Sequence, residues 1–152
     1  MGATSRVVVR AAGLIGAALT CWSNNVQWGT GPGRGGPPGQ WERAAVGAAL
    51  LSLLAALAVW LATRPGASRT WLRIAACLCA LGVAAIAYHL RAEAEHLRLP
   101  NLMEGPGWTW MAAGAGFALA AAAATFAVRG SGAAGASQRS RARRRGAGQR
   151  GR

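Results

Sequence analysis

Residues 44–63, AAVGAALLSLLAALAVWLAT, contain no charged residue, and their only polar side chains are Ser52 and Thr63. At a rise of 1.5 Å per residue, a helix of this length is about 30 Å long and matches the hydrocarbon thickness of a bilayer. A surface helix of a small soluble protein would have a polar face, and this stretch has none. The stretch therefore predicts a transmembrane helix, relative to which the other segments are interpreted.

Three further apolar blocks lie in the chain, which has 152 residues of which 53% are hydrophobic. Polar or Gly/Pro-rich segments separate the blocks, as in a multi-pass membrane protein. The predicted helices are residues 7–22, 44–63, 71–99 and 108–128. We expect an all-α fold, with a four-helix transmembrane domain over residues 1–129. Residues 130–152 are rich in Gly, Ser and Arg and are predicted to be disordered because they cannot bury a core.

The first helix has an alternative interpretation as a signal peptide, since Arg6 and Arg10 precede a short apolar run. No small-x-small cleavage site follows a long enough apolar run. The residue before Cys21 is Thr20, where a lipoprotein cleavage site needs a small residue. We predict a retained helix in which Arg10 extends its charge toward the headgroups, and cleavage stays open.

The distribution of arginine predicts the orientation. If all four helices span the membrane, all but four of the 17 arginines lie on one side, and all four acidic residues lie on the other. The four arginines on the acidic side are Arg34, Arg43, Arg91 and Arg98. The positive-inside rule then places both termini in the cytoplasm of a cell-membrane protein.

The first outer loop, residues 23–43, is rich in Gly and Pro and is punctuated by Trp22, Trp28 and Trp41. Because indoles prefer the headgroup region, these residues predict an interfacial belt. An aromatic binding surface is the functional alternative.

Small residues repeat every four positions along the fourth helix, at Ala112, Gly116, Ala120 and Ala124. Such a face lets helix backbones approach closely in membranes. It predicts that this helix packs against its own bundle or against another membrane protein.

A metal site is suggested by His89, Glu93 and His96, which share one helical face. The same segment reads more simply as an ion-paired helix end, because His89–Glu93 and Arg91–Glu95 are i,i+4 pairs. Cys77 and Cys79 point about 200° apart on a helix and predict free thiols. We therefore predict no metal and no cofactor.

The basic tail predicts contacts with anionic lipids of the inner leaflet. Its clustered arginines are Arg139, Arg141, Arg143, Arg144 and Arg145. Nucleic acid could be attracted by the same charge, but a topology or lipid anchor accounts for the tail, and no specific nucleic acid is expected.

No Ser-His-acid set is recognisable, and the absence of Lys excludes a P-loop. We therefore expect a non-enzymatic accessory or scaffold subunit that acts through helix packing and tail contacts. The alternative is a small transporter or an export or immunity component, for which Arg10 is the only ionisable candidate near membrane depth.

The chain also resembles the uncharacterised small four-helix integral membrane proteins of high-GC Gram-positive bacteria. The matching features are Trp22, the Gly-rich stretch 29–39 with Trp41, and Gly-Pro-Gly-Trp at residues 105–108. Where such proteins often read Leu-Pro-Trp after the first helix, this chain has Thr20-Cys21-Trp22. The resemblance implies the four-helix fold and no particular activity.

Overall fold

The computed structural model describes residues 3–26, 28, 39, 41–64, 70–98 and 105–149, with side chains between residues 4 and 127. All regular structure within these ranges is helical. The helices are α1 (Ala3–Ser23), α2 (Glu42–Ala62), α3 (Thr70–His96) and α4 (Pro106–Gln149). The predicted all-α, four-helix fold is confirmed, and each helix is long and apolar enough to cross a membrane.

Successive helices run antiparallel. The start of α1 meets the end of α2 through Arg10 and Thr63. The start of α2 meets the end of α3 through Trp41 and Glu93. The start of α4 meets the chain just after α1, where the Gly105 N–H donates to the carbonyl of Trp28. These contacts arrange the helices up, down, up and down, with α4 packed beside α1.

The two ends of the bundle differ in charge. We call one the basic end: it holds the starts of α1 and α3 and the end of α2. Its described arginines are Arg6, Arg10, Arg64 and Arg73. We call the other the acidic end: it holds the start of α2 and the end of α3. Its described acidic residues are Glu42, Glu93 and Glu95, which Arg43, Arg91 and Arg98 at the same end balance, so this end has no net charge whereas the basic end is positive.

The ends of α3 and α4 depart from the sequence prediction. α3 ends at His96 rather than at residue 99, because Arg98 adopts a left-handed backbone conformation with φ 54°. The Arg98 N–H then donates to the Glu95 carbonyl at 3.2 Å, which satisfies one of the last carbonyls of the helix.

α4 continues to Gln149 instead of ending at residue 128. No proline follows Pro106, and the Ala, Gln and Arg of residues 129–149 favour helix, while five glycines in the same segment oppose it. The disorder predicted for residues 130–152 is not confirmed.

Small side chains fill the interior, and large apolar side chains face outward. In the basic half, the core consists mainly of alanines around Val9 and Val59. In the acidic half, it contains Trp28, Trp41 and Met111. The outward residues include Val7, Leu14, Ile15, Leu50, Leu53, Leu57, Ile74, Leu78, Leu81, Phe117 and Phe126. Exposing such a surface to water costs roughly 25 cal/mol per Å², so this exterior suits lipid.

Candidate functional site

The three candidate metal ligands lie at the acidic end but do not form a site. The carboxylate of Glu93 accepts a hydrogen bond from Trp41 Nε1 at 3.0 Å and lies 3.9 Å from His89 Nε2. His89 and His96 are exposed. Among the residues that the structure describes, no three His, Cys, Asp or Glu side chains could together hold a metal ion. Glu93 instead connects α3 to the start of α2.

The neighbouring ion pair follows the predicted spacing. Arg91 Nε donates to Glu95 Oε1 at 2.9 Å, with both side chains more than half exposed. A pair so open to solvent contributes about 0.3–0.5 kcal/mol. The three cysteines, Cys21, Cys77 and Cys79, are free and half-buried.

Arg10 contacts the last turn of α2. Its Nε donates to Thr63 Oγ1 at 2.8 Å, and one terminal nitrogen donates to the Thr63 carbonyl at 3.0 Å. Its guanidinium also lies 4.7 Å from the centre of the Trp60 ring. A cation at a helix C-terminus is favourable, because the last carbonyls carry partial negative charge. The Arg10 charge is therefore compensated by α2, a role that the sequence did not indicate.

Trp28 belongs to the core. Only 1% of its surface is exposed, and its Nε1 donates to the Ser23 carbonyl at 2.7 Å. Its ring meets Trp108 edge-to-face, with 6.3 Å between the centroids. A Cβ atom at Gly107 would overlap the Trp28 indole, so glycine is required there.

The predicted interfacial belt is therefore wrong for Trp28 and for Trp41, which is 2% exposed. Both indoles find hydrogen-bond acceptors inside the acidic end, which makes their burial favourable. The outward indoles are Trp22, Trp60, Trp71 and Trp110. Trp22 and Trp110 lie at the acidic end, and Trp60 and Trp71 lie at the basic end, as expected of two interfacial girdles.

α1 and α4 approach backbone to backbone at Gly16 and Gly114. A Cβ atom at Gly16 would lie 2.9 Å from the Ala118 nitrogen and 3.0 Å from the Gly114 carbonyl oxygen. One at Gly114 would lie 2.9 Å from both the Gly16 oxygen and the Thr20 nitrogen. This is the close packing of small residues expected in membranes.

The contact uses a different face of α4 from the predicted stripe. Ala112, Gly116 and Ala120 are exposed, and Ala124 is half-buried. The described bundle therefore does not use the stripe as its main contact face. Its packing against a partner stays a prediction. Up to residue 127, the buried positions of α4 are Gly107, Met111, Gly114, Ala115, Ala118, Ala121, Ala122 and Thr125.

The five tail arginines lie in the extension of α4. These are Arg139, Arg141, Arg143, Arg144 and Arg145, and their side chains are outside the described part of the structure. Their contact with lipid stays a prediction.

No family model, curated protein or solved structure matches this chain. What the protein does is therefore inferred from its own residues alone.

Proposed function

We propose that this chain is a non-enzymatic accessory or scaffold subunit of the cell membrane that presents α4 to another membrane protein. The observation that carries the proposal is the open stripe on α4. Ala112, Gly116 and Ala120 face outward, and a Cβ atom at Gly116 would meet nothing within 4 Å.

The stripe differs from the rest of the exterior. Most outward positions on α2 and α3 carry large side chains such as Leu50, Leu57 and Leu78, which fill space against lipid. Between the outward Phe117 and Phe126, the stripe instead leaves the α4 backbone accessible. A second helix could approach there as closely as α1 approaches the opposite face, and such close approach favours helix association in membranes.

The proposed orientation places the basic end and both termini in the cytoplasm. The support is the separation of charges: the described acidic residues lie at one end and Arg6, Arg10, Arg64 and Arg73 at the other. The tail would then meet the inner leaflet, where each basic residue near anionic lipid contributes about 1 kcal/mol.

Retention of α1 is part of the proposal. Its support is the backbone contact between Gly16 and Gly114, together with the hydrogen bonds of Arg10 to Thr63. Cleavage of α1 would remove both contacts and expose the packed face of α4.

The transport alternative has less support. It depended on Arg10 as an ionisable group near membrane depth. That guanidinium already has two hydrogen bonds to Thr63 and a contact with Trp60, which hold it in a structural role.

The test replaces Gly116 by Leu and follows partners after cross-linking in intact membranes and purification in a mild detergent. Gly116→Leu should leave the melting temperature near that of the wild type and remove a membrane partner that the wild type retains. Gly47→Leu on α2 is the matched control, because a Cβ atom at Gly47 would also meet nothing within 4 Å. A second copy of this chain as the partner would appear as a cross-linked dimer. Equal recovery of every partner by the two variants would contradict the proposal.

A further inference from the structure

Arg73 is a buried cation at the basic end. It lies in the first turn of α3, and only 8% of its surface is exposed. It is one turn from Ala76 and two turns from Ala80, and both alanines pack in the core of the basic half. Arg73 thus extends the buried face of α3 to the basic end of the bundle.

The guanidinium of Arg73 has no counter-charge within the described chain. Its Nε is buried and makes no hydrogen bond, and no ion pair joins the side chain to any described residue. Arg10, at the same end, is instead satisfied by Thr63.

The described acidic residues lie at the opposite end of the bundle from Arg73. The sequence contains four: Glu42, Glu93, Glu95 and Glu104. The first three lie at the acidic end, and Glu104 is outside the described residues. In the sequence Glu104 precedes Gly105, whose N–H donates to the Trp28 carbonyl at the acidic end. The other described arginines at the end where Arg73 lies are Arg6, Arg10 and Arg64, which carry the same sign of charge.

The chain cannot remove this charge by other means. A guanidinium stays protonated in proteins, so burial cannot neutralise Arg73 as it could a lysine. The start of α3 also carries partial positive charge, which disfavours a cation and favours an anion. Among the residues that the structure describes, none supplies the negative charge that Arg73 lacks.

We propose that Arg73 binds a phosphate group at the basic end of the bundle. The planar fork of a guanidinium matches two phosphate oxygens, which makes phosphate the fitting anion. Trp71 and Trp60 are outward indoles at this end and mark the headgroup level. Helical side chains lean toward the N-terminus, which directs Arg73 toward that level. A phospholipid headgroup or free phosphate could supply the group. The inference needs neither the scaffold role nor a partner.

The test is native mass spectrometry of the full-length protein in a neutral detergent. The protein is titrated separately with phosphatidylglycerol, with inorganic phosphate and with diacylglycerol, which has the same acyl chains without the phosphate. We expect one phosphatidylglycerol to bind at least about tenfold more tightly than diacylglycerol, as charge-assisted hydrogen bonds to a guanidinium require. Arg73→Gln should lose this difference, and Arg64→Gln, at the exposed Arg64 of the same end, should keep it.

Additional experiments distinguish a lipid headgroup from free phosphate and distinguish loss of binding from loss of folding. If inorganic phosphate at a comparable concentration displaces phosphatidylglycerol, free phosphate is the ligand. If it does not displace the lipid, the lipid headgroup is the ligand. Arg73→Lys keeps the charge but lacks the fork, so it should fold and bind with intermediate affinity even if Arg73→Gln does not fold. Replacing the five tail arginines by Gln should leave the preference for phosphatidylglycerol over diacylglycerol unchanged, because the proposed site is at Arg73. Equal affinity of the wild type for phosphatidylglycerol and diacylglycerol, or wild-type affinity in both Arg73 variants, would overturn the proposal.

Discussion

At the scale of single residues, arginines at one end of the bundle have opposite environments. Arg10 has its charge compensated by the end of α2, where Thr63 supplies a hydroxyl and a carbonyl oxygen. The Thr63 hydroxyl in turn donates to the Val59 carbonyl at 2.8 Å, so the acceptor is held in place. Position in the sequence alone could not indicate which arginine has a partner.

We predict that Arg10→Gln destabilises the protein by about 2 kcal/mol, the sum expected for charge-assisted hydrogen bonds and a cation–π contact. Arg6→Gln is the control, because Arg6 lies one turn earlier and the structure shows no hydrogen bond for it among the described residues. Unfolding followed by circular dichroism in detergent measures the difference. Melting of the two variants at the same temperature would show that the Arg10 contact contributes nothing.

The tryptophans show what sequence reasoning misses at this scale. Trp28 lies in a Gly-rich segment between two helices, where an indole normally meets the interface. Its burial depends on Trp108, Gly107 and Ser23, which are brought together only by the packing of α1 against α4. The only feature of the sequence that pointed to this packing was Gly107, at the predicted start of α4.

At the scale of elements, the α1–α4 contact determines how α4 is oriented. Small residues lie on both faces of α4, and its large side chains are divided between them, with Met111 buried and Phe117 and Phe126 outward. The sequence therefore offered no single apolar stripe to distinguish a packed side from an open one. The partner surface on α1 decides the rotation of α4, because Gly16 and Thr20 lie directly against Gly114, and Gly16 lies against Ala118. The existence of the helices could be predicted from their apolar lengths, whereas their rotation could not.

We predict that two glycines of α4, only two positions apart, respond oppositely to the same substitution. Gly114→Ala should destabilise the protein by about 1–3 kcal/mol, because the new methyl group would press on the backbone of α1. Gly116→Ala should be neutral or stabilising by up to about 1 kcal/mol, because alanine favours helix and the site is open.

Thermal unfolding of the two alanine variants in the same detergent measures this contrast. Gly16→Ala, which crowds the opposite side of the contact, should behave like Gly114→Ala. Equal stability of Gly114→Ala and Gly116→Ala would mean that α1 and α4 are not packed at this point.

At the scale of the whole molecule, the fold follows from four apolar segments joined in antiparallel order. Each segment matches a membrane's thickness, so helix number was predictable from length and composition. The end of α4 was not, because helix formers such as Ala and Arg continue beyond the apolar block without a proline to stop them.

We predict that both termini face the cytoplasm. Green fluorescent protein fused after Arg152 should fluoresce, and alkaline phosphatase fused there should be inactive, because it folds only outside. Alkaline phosphatase inserted after Gly36, in the first outer loop, should be active. Activity of the phosphatase after Arg152 would reverse the orientation assigned from arginine placement.

The position of Trp28 has a consequence for biogenesis. This indole leaves the ribosome early, yet Trp108 and Gly107, which cover it, belong to the helix that emerges last. A chain that lacks α4 has Trp28 without two of its final neighbours, and the core around Trp41 lacks Met111. Chains arrested after α3 would thus have an incomplete core at the acidic end, with Trp28 lacking the cover of Trp108 and Gly107.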